Sequence, residues 1–281
     1  MTEPGQPGPA EQENPGGQPD PAAQTPAPGE DWPIRHDGMD PWQLWLHRFE
    51  QLAVSYGHGV PVPAWLRKTQ GEPRWPVSLS VVVAIVLQLL LPSQLTTPLP
   101  RALLPALEAA LLVGLSIANP VRIERRGPVI RAASIALILL ITIANAASAV
   151  LLIRSILIGH AGNAAGALLA TGASVWATNV IAFALWYWEF DRGGPVHRAM
   201  GTLRHPDLQF PQMTAPHLTA PDWEPQFVDY LYMSFTNATA FSPTDVMPLA
   251  RWAKLTMLVQ SSVSLAVGAL VIARAVNILK T

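Results

Sequence analysis

From Val77 onward the chain alternates long apolar runs with short polar connections. Four runs cover 77–91, 102–119, 132–153 and 165–188; a short mixed run follows at 228–242 and a long one at 255–279. Apolar runs of this length, with few internal charges, predict membrane helices. The first lies between Pro76 and Pro92. As a helix it reaches roughly 22 Å, short of the ~30 Å hydrocarbon core, so it spans only with help from its flanks. The expectation is an all-α polytopic membrane domain over 77–281, with five or six segments. The number turns on 228–242, which is expected to cross, giving six; re-entry would give five.

Upstream the pattern changes. In DPWQLWLHRFEQLAVSY, residues 40–56, Trp42, Trp45, Leu46, Phe49 and Leu52 recur on one helical face. Asp40 suits the N-cap, Pro41 the first helical position and Gln43 a capping box. Two tryptophans on that face favour an amphipathic helix at the membrane boundary; packing against the protein's own cytoplasmic loops fits equally well. Residues 1–38, rich in proline, glycine, glutamine and acids, have nothing to bury. They predict a disordered acidic tail, and they carry neither the basic region nor the apolar core of a signal peptide.

Composition narrows the class. Half of the 281 residues are hydrophobic and only 13% are charged, against about a quarter in soluble domains. The net charge of −1 comes with no basic run, so nucleic acid is not an expected partner. There is no cysteine, which removes thiolate nucleophiles, disulfides and Cys-ligated metals.

The arginines and lysines set a topology. Arg67, Lys68 and Arg74 precede the first run, and Arg101 alone follows it. Next come Arg122, Arg125, Arg126 and Arg131, then Arg154 alone, then Arg192, Arg198 and Arg204. This alternation predicts a multi-pass protein of the inner or plasma membrane with a cytoplasmic N-terminus. Gly162, Gly166 and Ala170, like Ser264 and Gly268, are spaced four apart, as close helix packing requires.

Candidate chemistry is sparse. Glu108 lies inside the second run, where a carboxylate relays protons, attracts a cation, or is a protonated structural acid. Gln88, Asn145 and Asn179 suit interhelical hydrogen bonds. Between Glu189 and Glu224, His197, His205 and His217 accompany Asp191, Asp207 and Asp222. Their spacing matches no compact ligand motif, so a proline-rich surface loop is expected rather than a metal site. No serine sits in a G-x-S-x-G setting and no P-loop is present. Neither an enzyme nor a cofactor is expected.

The mixed run, DYLYMSFTNATAFSPTD (229–245), is too polar to face lipid all round. Tyr230, Ser234 and Asn237 form one stripe on the helical wheel; Tyr232, Thr236 and Thr239 form another. Pro243 ends the helix and Asp245 follows in a turn. In the last run Gln260 and Ser264 share a face beside Ser261, and two such polar helices would pack face to face.

The order of a short aromatic helix, Thr239, Asp245, Pro248 and a long helix rich in small residues resembles the pore region of two-helix potassium-channel modules. TAFSPTD lacks the glycines of their filter and is one residue longer. Over roughly 170–279 the chain also resembles a bacterial family of predicted integral membrane proteins classed as a domain of unknown function. FALWYWEFDRGGP, LQFP, DYLYMSF, the Ser-x-x-Asp turn, RWAK and AVNIL carry that likeness. It implies a multi-pass inner-membrane protein and assigns no activity.

Two functions are expected from these residues. The first is a channel-like or transporter-like permeation module for ions or small solutes. Its polar path would run through Tyr230, Ser234, Asn237, Thr239, Asp245, Gln260 and Ser264, with Glu108 as an ion or proton site and Asp245 as a mouth charge. By analogy with channels it would be a homo-oligomer. The second is a non-transporting scaffold or regulatory protein that meets a protein partner through its tail and interfacial helix, its polar stripes serving as interhelical glue.

Overall fold

The structure is a computed structural model that describes residues 63–93, 100, 102–123, 127–159, 164–202, 205–239 and 245–280. The tail expected over 1–38 and the amphipathic helix expected over 40–56 lie outside them. Five long helices make up the bundle: α1 (Trp75–Leu90), α2 (Leu103–Ala118), α3 (Pro128–Leu157), α4 (Ala165–Phe190) and, last in the chain, α8 (Arg251–Lys280). Short helices α5 (Pro195–Ala199), α6 (Pro211–Thr214) and α7 (Phe227–Thr239) lie between α4 and α8, together with strands β1 (Leu208–Gln209) and β2 (Met247–Pro248).

Proline starts several of these helices. Pro76 and Pro128 occupy the first turns of α1 and α3, where the missing N–H costs nothing and φ is already helical. On α1 one stripe is buried, Val77, Val81, Ala84 and Gln88, while Leu79, Val82, Val86 and Leu90 stay exposed. Val113 and Ile117 of α2, Val150 of α3 and Leu258, Leu265 and Ile272 of α8 are likewise exposed. These helices are apolar on the outer face as well as the inner. Three of them, Pro128–Leu157, Ala165–Gly193 and Arg251–Lys280, are long and apolar enough to cross a membrane.

α4 is the axis of the bundle and packs against α8, α7, α3 and α1; α2 packs on α3 and α1. α4 and α8 approach closely where Gly172 faces Val271. Of the small residues expected to pack, Ser264 meets Asn179 of α4, while Gly166 and Gly268 meet no neighbour. A Cβ added at Gly166 or Gly268 would find nothing within 4 Å, because those faces turn outward.

The segment after α4 departs from expectation. Asp191, Arg192, Arg198, Leu208 and Phe210 are buried, so it is a packed platform and not a surface loop. It uses left-handed backbone at Arg192 (φ 49°), Gly193 and Gly194 to turn sharply off α4. A Cβ at Gly194 would stand 2.9 Å from the Glu189 carbonyl oxygen, so only glycine fits that turn.

Of the run expected to cross at 228–242, the structure describes residues up to 239, all within α7. α7 enters beside the end of α4, with Tyr230 bonded to Asp191, and runs inward until Phe235 rests edge-on against Trp176, 5.5 Å between centroids. The chain then returns. β2 pairs antiparallel with β1, Leu208 opposite Pro248 and Gln209 opposite Met247, and the Leu249 and Ala250 amides both donate to the Asp207 carbonyl. Thirteen residues make a helix of roughly 20 Å, and the ladder sets the residues before α7 beside those after it.

Candidate functional site

The polar faces of α7 and α8 meet against α4. Gln260 is fully buried at the junction. Its Nε2 donates to the Ser234 carbonyl at 2.9 Å and to Ser234 Oγ at 2.7 Å. Its Oε1 accepts from the Tyr187 hydroxyl and from Asn237 Nδ2, both at 2.8 Å. Ser234 Oγ donates onward to the Val180 carbonyl of α4 at 2.6 Å. Ser261 Oγ donates to the carbonyl of Asn237 and to its Oδ1. One turn deeper, Asn179 Nδ2 donates to Ser264 Oγ at 2.9 Å, and Asn145 Nδ2 of α3 reaches Asn179 Oδ1. The result is a lattice across four helices in which each amide faces a partner, as apolar surroundings demand.

Among the residues expected to form a polar path, the lattice gathers Ser234, Asn237, Gln260 and Ser264. Tyr230 belongs elsewhere, since its hydroxyl donates to Asp191 at the end of α4. Thr239 bonds back to the Thr236 carbonyl within its own helix. Asp245 is exposed on the return segment. Glu108 sits apart on α2, fully buried, where both carboxyl oxygens accept from Gln88 Nε2 of α1 at 3.1–3.2 Å.

At the same end as the turn off α4 lies a second cluster, buried and ionic. Glu72, just before α1, receives three donors: the Trp188 indole and Arg198 Nη2 on Oε1, and the Phe227 amide on Oε2. Arg198 also donates to the carbonyls of Trp188 and Asp191, and its guanidinium lies 4.9 Å from the centre of the Tyr230 ring. Asp191 accepts from Tyr230 and from the Asp207 and Leu208 amides. Arg192 is held in its strained backbone by its own amide, bonded to Asp207 Oδ2, and by Nη1, which donates to the Trp65 carbonyl at 2.7 Å. The cluster thus ties the segment before α1 to the end of α4, the start of α7 and β1.

Burial pushes the Glu72 carboxyl above its ordinary value, with Arg198 the main group pulling it back. For Arg198, burial acts downward but Tyr230, Glu72, Asp191 and Glu189 outweigh it, so its value is raised. A cation encircled by acceptors and one ring face is a tie between segments, and its protons are firmly held.

Reading the chain by periodicity missed Glu72, Trp188 and Arg198 as a unit, because more than a hundred residues separate the first from the other two. The one local signal is the density of charge and aromatics in WYWEFDRGGP. Among the described residues no three His, Asp or Glu side chains converge as a metal site would require. No family model, no curated protein and no solved structure matches the chain.

Proposed function

We propose that this chain is a multi-pass membrane protein with five crossing helices and one re-entrant helix, α7, that acts as a non-transporting scaffold or regulatory protein. The arginine alternation supports a cytoplasmic location for the N-terminus and for the end of the bundle that carries the Glu72–Arg198 cluster. The observation that carries the reading is the environment of Gln260. Every hydrogen-bonding atom of its side chain is taken up by protein, which supports polar stripes that brace helices and leaves no donor or acceptor there for a passing ion. In this reading the cytoplasmic tail and the segment 40–56 meet a protein partner.

One observation favours the second reading, permeation through an oligomer. α7 ends inside the bundle with Asn237 and Thr239 only half-buried, and helix C-termini attract cations. Reconstitution into liposomes separates the two. Proton and monovalent-cation flux indistinguishable from protein-free vesicles supports the scaffold; flux abolished by Asn237→Ala with folding intact replaces it with the permeation reading.

A further inference from the structure

A cavity of about 550 Å³ opens between α1, α2, α3 and α4, well inside the ~300–1,000 Å³ range of small-molecule sites. Its lining repeats one arrangement on all four helices. Arg74 at the start of α1 leads to Val81, and Arg131 at the start of α3 leads to Ile138. Leu112 of α2 leads to Asn119, and Leu185 of α4 leads to Glu189. Successive helices run in opposite directions, so the polar members share one end and the apolar members lie roughly 6–10 Å deeper. A polar mouth over an apolar shaft suits an amphiphile.

Arg74 says which kind. It is only 8% exposed, and its Nε donates to Ser116 Oγ at 3.3 Å. Among the described residues neither Nη1 nor Nη2 has a hydrogen-bond partner and no carboxylate pairs with the guanidinium. Burial alone acts on it, pushing it below its ordinary value with nothing opposing. Arginine stays charged nonetheless, and among the described residues the guanidinium meets no counter-charge. The other two charges in the lining face each other, Arg131 Nε standing 4.0 Å from Glu189 Oε1. Among the described lining residues two arginines stand against one carboxylate, and the arginine with no carboxylate beside it is Arg74.

We propose that this cavity binds an anionic phospholipid, with one acyl chain between α1, α2, α3 and α4 and the phosphodiester on Arg74. A phosphodiester is a monoanion whose paired oxygens match the guanidinium fork. The site opens at the end that carries the arginine-rich connections, so the ligand comes from the cytoplasmic leaflet. In this respect the proposal rests on the membrane placement above.

The test uses the full chain purified in a neutral detergent, with phosphatidylglycerol, phosphatidylcholine and glycerol phosphate as probes and retained ligand read by native mass spectrometry. Wild type retains phosphatidylglycerol at least tenfold more strongly than phosphatidylcholine and does not retain glycerol phosphate. Arg74→Gln and Leu112→Trp, which fills the shaft without altering charge, each weaken phosphatidylglycerol at least tenfold; exposed Arg251→Gln leaves it unchanged. Without lipid, Arg74→Gln melts no lower than wild type, because it removes an uncompensated charge. Should Leu112→Trp fail to fold, Leu137→Phe carries the same test. Equal retention of the two lipids, wild-type retention by Arg74→Gln, or equal retention of glycerol phosphate overturns the proposal. So does a lower lipid-free melting temperature for Arg74→Gln, which makes Arg74 structural. Failure of binding leaves the membrane placement standing, since that is read independently by labelling in cells.

Discussion

Leu208 and Pro248 sit opposite one another in a two-residue antiparallel ladder, although the whole of α7 lies between them in the chain. Paired backbone cannot be on two sides of a bilayer. Single cysteines at Leu218, before α7, and at Asp245, after it, are therefore expected to react from the same side of intact cells with a membrane-impermeant thiol reagent. A cysteine at Lys280, at the far end of α8, reacts from the other. The native chain has no cysteine, so every signal belongs to the introduced position. Labelling of 218 and 245 from opposite sides would mean that α7 crosses.

α4 and α8 pack closely at Gly172. An added Cβ would lie 2.7 and 2.8 Å from the two methyls of Val271, well inside contact distance. Gly172→Ala is expected to destabilise the bundle by about 1–3 kcal/mol through overpacking. Val271→Ala removes the obstructing methyls, so the double variant should recover most of the loss. Denaturant titration from micelles measures the cycle, and simple additivity of the two changes would show that the helices do not meet here.

Gln260 makes four side-chain hydrogen bonds to three residues on two helices. At about 0.6 kcal/mol for each interhelical bond, Gln260→Ala is expected to cost roughly 2–3 kcal/mol. Gln260→Glu should be worse. It keeps acceptors toward Tyr187 and Asn237 but sets a carboxylate against the Ser234 carbonyl, which accepts from Nε2 in the native lattice. Thermal unfolding in detergent ranks the two, and a neutral Gln260→Ala would mean that the lattice does not hold the helices.

The helices were legible because apolar runs and bracketing prolines act locally. The polar faces of α7 and α8 were legible for the same reason: Ser234 and Asn237, like Gln260 and Ser264, recur at helical spacing. The return of the chain after α7 was not, since a ladder of two residues leaves no periodic trace and Leu208 and Met247 look like ordinary loop positions. Glycine spacing misled, because Gly166 and Gly268 fit a packing motif yet face outward while the single Gly172 makes the contact. Arg74 was read only as a topology charge. Its meaning lies in the cavity it lines together with three other helices, and no local pattern encodes that.

Glu224 on the platform offers a test of how acids are held there. Its Oε2 accepts the Thr69 hydroxyl at 2.6 Å. Burial pushes its carboxyl above the ordinary value, and the Thr69 bond with nearby Arg198, Arg192 and Arg122 offsets this only in part. The folded protein thus binds that proton more tightly than the unfolded chain, whose value is about 4.3. The resulting stabilisation is complete below about pH 4.3 and is lost as pH rises through the folded value. Glu72 carries the same sign, so a pH scan of wild type alone mixes Glu224 with other acids. Glu224→Gln isolates one. It mimics the protonated acid, so its melting temperature should match wild type near pH 4 and exceed it at pH 8. A difference that stays constant from pH 4 to 8 would mean that Glu224 is not held above its ordinary value. The Thr69 bond and the nearby arginines would then fully offset its burial.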